Sequence, residues 1–278
     1  MDRPLNTSFP GYDEARIFFA MSDQHGRLRY PAGLLAGFAV ATAFFTQLPV
    51  DPRARGTWQL AGSAWAFPLV GGGIGAAVAV VFFVAQLSGL TDLPAASLAV
   101  LAGVALTGAL HEDGLADTAD GLLGGRGREA TLTIMRDSRH GTFGVLAILL
   151  SVLLRAAALA SIGDAVHAGL ALVAAHAVSR AALPVAMRAM SPARTDGLGA
   201  AAGAPSVPGL AGAAVIGTLV GLSALGPMRG AMGICLAGVT VWAVARIARR
   251  RIGGYTGDIL GGFQQIAEIV VLLTASAK

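Results

Sequence analysis

The chain has 278 residues, 55% of them hydrophobic and 13% charged, with a formal net charge of +4. A soluble domain carries about a quarter charged residues, so this composition excludes an ordinary water-soluble globule and calls for lipid. The 38 glycines and the low aromatic share of 6% suit helices packed through small side chains. The single cysteine, Cys235, excludes a disulfide framework or a thiolate metal site and reads as a buried small hydrophobe in an apolar run.

Residues 1–30 form a polar tail with Arg3, Arg16, Arg27 and Arg29 beside Asp2, Asp13, Glu14 and Asp23, and no apolar core of a signal peptide. Residues 31–278 read as a single transmembrane catalytic domain. A bilayer core about 30 Å thick takes roughly 20 helical residues. Low-charge runs of that order extend from Pro31 to Leu48, Leu60 to Leu87, Leu93 to Leu110, Thr142 to Ile162, Ala165 to Met187, Val207 to Leu225, Ala231 to Ala248 and Ile259 to Ala275. The pattern predicts an all-α, polytopic transmembrane helical bundle of about seven or eight spans. The last run is the least typical, since it holds Gln264, Gln265 and Glu268. Small pairs four residues apart, Gly33 with Gly37, Gly71 with Gly75 and Gly217 with Gly221, predict close helix contacts.

Sorting the cations by side tests this scheme independently of hydropathy. One side collects Arg53, Arg55, Arg126, Arg128, Arg136, Arg139, Arg188, Arg194, Arg246, Arg249, Arg250 and Arg251; the other has Arg229 and Lys278 besides the tail. The positive-inside rule makes the arginine-rich side cytoplasmic.

The most acidic interior stretch runs from His111 to Gly121, directly after the third predicted span. If the helix continues through it, Asp113, Asp117 and Asp120 fall at i, i+4 and i+7 and share one face. Leu115, Ala116, Ala119, Leu122 and Leu123 make the other side apolar, which argues for a packed helix rather than a solvated loop. Carboxylates stacked this way repel and call for a cation, and oxygen-only ligands favour Mg²⁺ or Mn²⁺. Gly114 and Gly121 leave room for another backbone or a ligand. His111 and Glu112 are weaker candidates, because one interfacial histidine more often makes a hydrogen bond than binds a ligand.

Arg136 and Arg139 follow one helical turn apart, with Asp137 between them and Gly141 and Gly144 flanking Thr142. Planar guanidinium forks suit phosphate oxygens, although topology and a salt bridge to Asp137 would explain them too. Farther on, Arg249 to Arg251 read as a stop signal contacting anionic headgroups, and the glycines around Asp258 can bring backbone N–H groups and a metal ligand to one phosphate. Arg155, Arg180 and Glu268 are charges inside spans; ion pairing suits Arg155, and Arg180 could face the site.

These motifs together resemble cobalamin synthase, the adenosylcobinamide-GDP ribazoletransferase family, from about Phe38 to the C-terminus. The resemblance rests on His111, Asp113 to Thr118, Asp120-Gly121, Phe45-Thr46, Leu48-Pro49, Met135 to Arg139, Gly141-Thr142, Ser179-Arg180, Thr256 to Asp258 and Glu268. It implies that a hydroxyl of α-ribazole, or of its 5′-phosphate, attacks the cobinamide-bound phosphorus of adenosylcobinamide-GDP and releases GMP. On this resemblance Asp113, Asp117, Asp120 and Asp258 hold Mg²⁺, Arg136 and Arg139 stabilise the departing GMP phosphate, and His111 accepts the hydroxyl proton. Thr118, Ser138, Thr142, Arg180 and Gly257 line the substrate; no role carries over to Glu112 or His140. The implied location is the bacterial cytoplasmic (inner) membrane with the site facing the cytoplasm. The implied partners are the two substrates and the lipid bilayer but no nucleic acid, with a homo-oligomer left open. The tail exceeds the family's usual start, which leaves initiation at Met21 open. A CDP-alcohol phosphatidyltransferase is the nearest alternative, but its Asp-Gly is followed by Ala-Arg where Asp117 stands here. An ion-coupled transporter would place its carboxylates near mid-bilayer.

Overall fold

Apolar runs this long in the absence of strand-forming alternation leave helix as the way to satisfy every backbone group in lipid. The computed structural model describes residues 33–50 and 59–277; the tail 1–30, Pro31, Arg53, Arg55 and Lys278 lie outside the described residues. In chain order the helices are α1 (Leu34–Phe45), α2 (Phe67–Leu87, entered through a 3₁₀ turn at Leu60–Ala66), α3 (Asp92–Thr107), α4 (Leu110–Ala119, ending in a π turn at Asp120–Gly124) and α5 (Arg128–Ile134). Then come α6 (Thr142–Ile162), α7 (Ala165–Ala189), the single turn α8 (Leu198–Ala201), α9 (Val207–Leu225), α10 (Pro227–Ile252) and α11 (Gly257–Ser276). Among the described residues 6 helices are long and apolar enough to cross a membrane, or 7 if α3 and α4 are one broken span. The glutamine-bearing α11 is among them.

Two predicted spans differ from the sequence reading. The first, Pro31 to Leu48, forms a helix of 12 described residues, which at about 1.5 Å per residue falls well short of a bilayer core. The third does not continue into the acidic stretch, for α3 and α4 meet at a bend of 93°. Gly108 (φ 65°) and Ala109 (φ 58°) both take the left-handed conformation there. Gln47 fills the space where a Gly108 side chain would stand, 2.3 Å from an added Cβ, and its own N–H donates to Leu106 O at 2.8 Å. The loop after α1 thus holds the break in place.

The core centres on α7, whose Ala168, Ala171, Ala174, Ala175 and Ala177 are all fully buried. Glycines explain how its neighbours come so close: a Cβ on Gly71 or Gly75 of α2 would lie 2.2 Å from His176 O or 2.5 Å from Leu172 O. On the opposite flank a Cβ on Gly217 of α9 would lie 2.4 Å from Ala181 Cβ. Cys235 departs from its predicted burial, since it is exposed on α10; in an apolar helix with one packed stripe, most residues face lipid.

Arginines draw three loops to one end of the bundle. Arg128 donates to Ala193 O at 2.5 Å and to Ile252 O at 3.2 Å, and Arg251 donates to Gly125 O at 3.1 Å. Arg249 donates to Ala189 O.

Candidate active site

The acidic mouth begins with two glycines that let helices touch. A Cβ on Gly114 of α4 would lie 2.9 Å from Asp258 O and 3.0 Å from Gly261 Cα of α11. This contact brings Asp113 and Asp117 to the first turn of α11, where Asp258 stands after the cap Thr256, whose hydroxyl accepts from Ile259 N at 3.3 Å. Asp117 accordingly feels the negative charge of Asp113, Asp258 and Asp120, with Arg194 as a compensating cation.

Asp120 is used differently. Its two oxygens accept from the N–H groups of Gly141 at 2.7 Å and Gly144 at 2.9 Å, tying the start of α6 to the end of α4. Any side chain at these glycines would collide with the carboxylate, an added Cβ falling 2.6 Å and 2.3 Å from its oxygens.

A histidine and an arginine face the other aspartates. His140 places Nε2 3.7 Å from Asp113 Oδ1 and Nδ1 3.7 Å from Asp117 Oδ1, and Arg194 lies 3.5 Å from Asp258 Oδ2. Around the rim, Arg136 pairs with Asp196 at 2.8 Å and Arg139 with Asp137 at 2.7 Å. Hydrogen bonds from Arg139 hold the Asp137 carboxyl down to about 2, so it stays ionised at any working pH. Ser138 and Thr142 are exposed beside it, and Gly257 is the first residue of α11.

Three predicted site residues point elsewhere. Arg180 is buried, with Nη1 3.0 Å from His176 Nδ1 and 3.8 Å from Glu268. His111 is buried and stacks on Phe45, ring centroids 5.7 Å apart. Thr118 is buried against Gly262, its hydroxyl without a hydrogen-bond partner among the described residues. Both His111 and Arg180 belong to an internal polar layer in which Arg155 bridges Glu112 at 2.9 Å and Glu268 at 3.1 Å. The pairing expected of Arg155 is present.

The sequence named Glu112 only as a weaker candidate and gave no site role to His140 or Arg194. Glu112 had a readable signal, since it lies about 100° round the helix from Asp113 and so faces the core. Neither His140 nor Arg194 had one, because loop residues meet the aspartates only through the fold.

Oxygen ligands under mutual repulsion suit a hard divalent cation. Among the described residues, however, no three His, Cys, Asp or Glu side chains stand close enough to form a finished metal cage. The carboxylates of Asp113, Asp117 and Asp258 are gathered at one mouth.

A sequence model described as cobalamin-5-phosphate synthase matches residues 37–276. The chain belongs to that family. Within the cobalamin-5-phosphate synthase family, an adenosylcobinamide-GDP ribazoletransferase of Bradyrhizobium diazoefficiens is 49% identical over 247 residues, covering 88% of this chain and 94% of its own length. Proteins of the same description from Mesorhizobium japonicum and Azorhizobium caulinodans are 45% and 42% identical, covering 88% and 86% of this chain and 95% of their own length in each case. No solved structure matches the chain. The span shared with the synthase family includes every residue of the mouth, and membership sets aside the phosphatidyltransferase and transporter readings.

Proposed function

We propose that this chain joins adenosylcobinamide-GDP to α-ribazole or α-ribazole 5′-phosphate and releases GMP, the activity its relatives' names describe. A hydroxyl oxygen of the ribazole forms a bond to the cobinamide-bound phosphorus, the bond from that phosphorus to the GMP oxygen breaks, and the hydroxyl proton passes to solvent. The observation that carries this reading is the meeting of three carboxylates and two exposed arginines at one end of a membrane bundle. That end is assigned to the cytoplasmic side of the bacterial inner membrane, where the arginine count favours it.

Asp113, Asp117 and Asp258 are assigned to Mg²⁺, with Asp120 holding the Gly141–Gly144 loop against them. A bound Mg²⁺ supplies charge neutralisation on the diphosphate. His140 lies 3.7 Å from both Asp113 and Asp117, beside the place assigned to the ion. Arg136 and Arg139 have side chains 54% and 86% exposed and are free to exchange their carboxylate partners for phosphate oxygens. Phosphoryl transfer leaves the protein mainly positioning and electrostatic work. His111, packed on Phe45, fits a positioning part in such a site better than direct proton transfer.

Purified protein in detergent, given adenosylcobinamide-GDP and α-ribazole, should form the joined corrinoid and equimolar GMP. EDTA should stop the reaction and added Mg²⁺ restore it. Absence of product under both conditions sinks the assignment.

A further inference from the structure

At the end of the bundle remote from the mouth, α9 and α10 touch through glycine, an added Cβ on Gly230 lying 2.7 Å from Gly221 O. Toward the arginine-rich end a cleft of about 510 Å³ opens between them, with α7 forming its third wall. Its interior is apolar, through residues such as Val178, Ala186, Ile234 and Val241, and no acidic residue lines it. The mouth carries Arg246, Arg249 and Arg250 beside Trp242. Arg249 is engaged by Ala189 O, and the Arg246 guanidinium lies over the Trp242 ring at 5.8 Å. Arg250 makes no hydrogen bond or ion pair among the described residues.

We propose that this cleft binds one anionic phospholipid, an acyl chain lying between α7, α9 and α10 and the phosphate held by Arg246 and Arg250. The order of surfaces matches such a molecule: an apolar slot at span depth, an exposed tryptophan near its outlet, and cations where the headgroups begin. Charge complementarity selects an anionic headgroup, because three arginines meet no lining carboxylate. A partner helix about 10 Å across demands far more volume over this length, whereas a single chain does not. Free phosphate would leave the apolar interior uncovered.

Gly238 supplies a clean test, since it lines the cleft and a Cβ built there meets nothing within 4 Å. The Cβ of Gly238→Leu therefore enters open space, and the rest of the side chain takes up volume in the slot. The purified full chain in a neutral detergent is titrated with dioleoyl phosphatidylglycerol or dioleoyl phosphatidylcholine, and the thermal unfolding midpoint and oligomeric state are followed. Phosphatidylglycerol should raise the midpoint at far lower concentration than phosphatidylcholine. Arg246→Gln with Arg250→Gln should raise the half-effective concentration roughly 30-fold, equivalent to about 1 kcal/mol per arginine. The double Lys variant should retain most of the effect, and Gly238→Leu should lose it. Equal protection by both lipids, or an unchanged response in Gly238→Leu, overturns the proposal. Dimer formation that Gly238→Leu abolishes would assign the cleft to a second copy instead and also overturn it. If the Gln pair fails to fold, the Leu variant decides alone.

Discussion

Arg136 and Arg139 each hold a nearby acid on the rim, and both acids are exposed enough to be given up. If these guanidinium groups follow the charge that develops on departing GMP, they bind the transition state more strongly than the substrate. Arg→Ala should then lower kcat by about 10²- to 10³-fold, the range for a lost oxyanion-type contact. Arg→Lys should recover only part, for Lys brings charge without the fork. Silent Lys variants, with Ala variants that lose only inserted protein, would leave topology as their sole role. For His111 the pH profile decides. A positioning part predicts that His111→Gln lowers the rate but keeps the acid limb of kcat/KM, whereas a general base with an ordinary pKa of about 6.5 predicts that this limb disappears.

At the scale of the element, the contact between α4 and α11 sets the distances among the aspartates. Gly114→Ala puts a Cβ against the Asp258 carbonyl and Gly261 Cα, both backbone atoms that cannot swing away. It should destabilise by about 1–3 kcal/mol as overpacking and raise the Mg²⁺ concentration needed for half-maximal rate. Gly238→Ala, with open space around it inside α10, is the control: it should not destabilise, gaining up to about 1 kcal/mol of helix propensity, and should leave the Mg²⁺ requirement unchanged. In the internal layer, Arg155→Leu strips the guanidinium from Glu112 and removes one of the cations around Glu268, which keeps His176 at 3.1 Å and Arg180 at 3.8 Å. Breaking a buried pair costs about 3–5 kcal/mol, so thermal unfolding of this variant should fall sharply; an unchanged midpoint would mean that water reaches the layer. Much of this element scale was legible in advance. Glycine spacing announced the Gly71–Gly75 and Gly217–Gly221 contacts, because a missing side chain on one face of a helix has few other uses in a bundle. The break at Gly108 and Ala109 was not legible, since alanine ordinarily favours helix and the cause lies in Gln47, about 60 residues earlier in the chain.

For the whole molecule, hydropathy and arginine placement indicated helices and the loops that share an end, and the contacts of Arg128 and Arg251 join those loops. The residue set was less complete. Asp113, Asp117 and Asp258 came together as their motifs suggested, while His140 and Arg194 joined them through loop geometry that no local pattern encodes. Conversely, Arg180 and Thr118 turned into the bundle, because helical periodicity and not chemistry decides which wall a side chain faces. Membrane sidedness follows from the same scale. Single cysteines at the exposed positions Arg126 and Thr195, in a chain lacking Cys235, should resist an impermeant thiol reagent on sealed cells and react after permeabilisation; labelling of both from outside would invert the assignment.

The most direct test of the central claim is the initial rate of GMP release per folded molecule as a function of Mg²⁺, for the unaltered chain and for Asp113→Asn and Asp117→Asn. The account predicts no turnover in EDTA, recovery of the unaltered chain with Mg²⁺, and variants that insert and fold yet remain inactive or need far more metal. Turnover that survives chelation, or variants near the unaltered rate at limiting Mg²⁺, would contradict it.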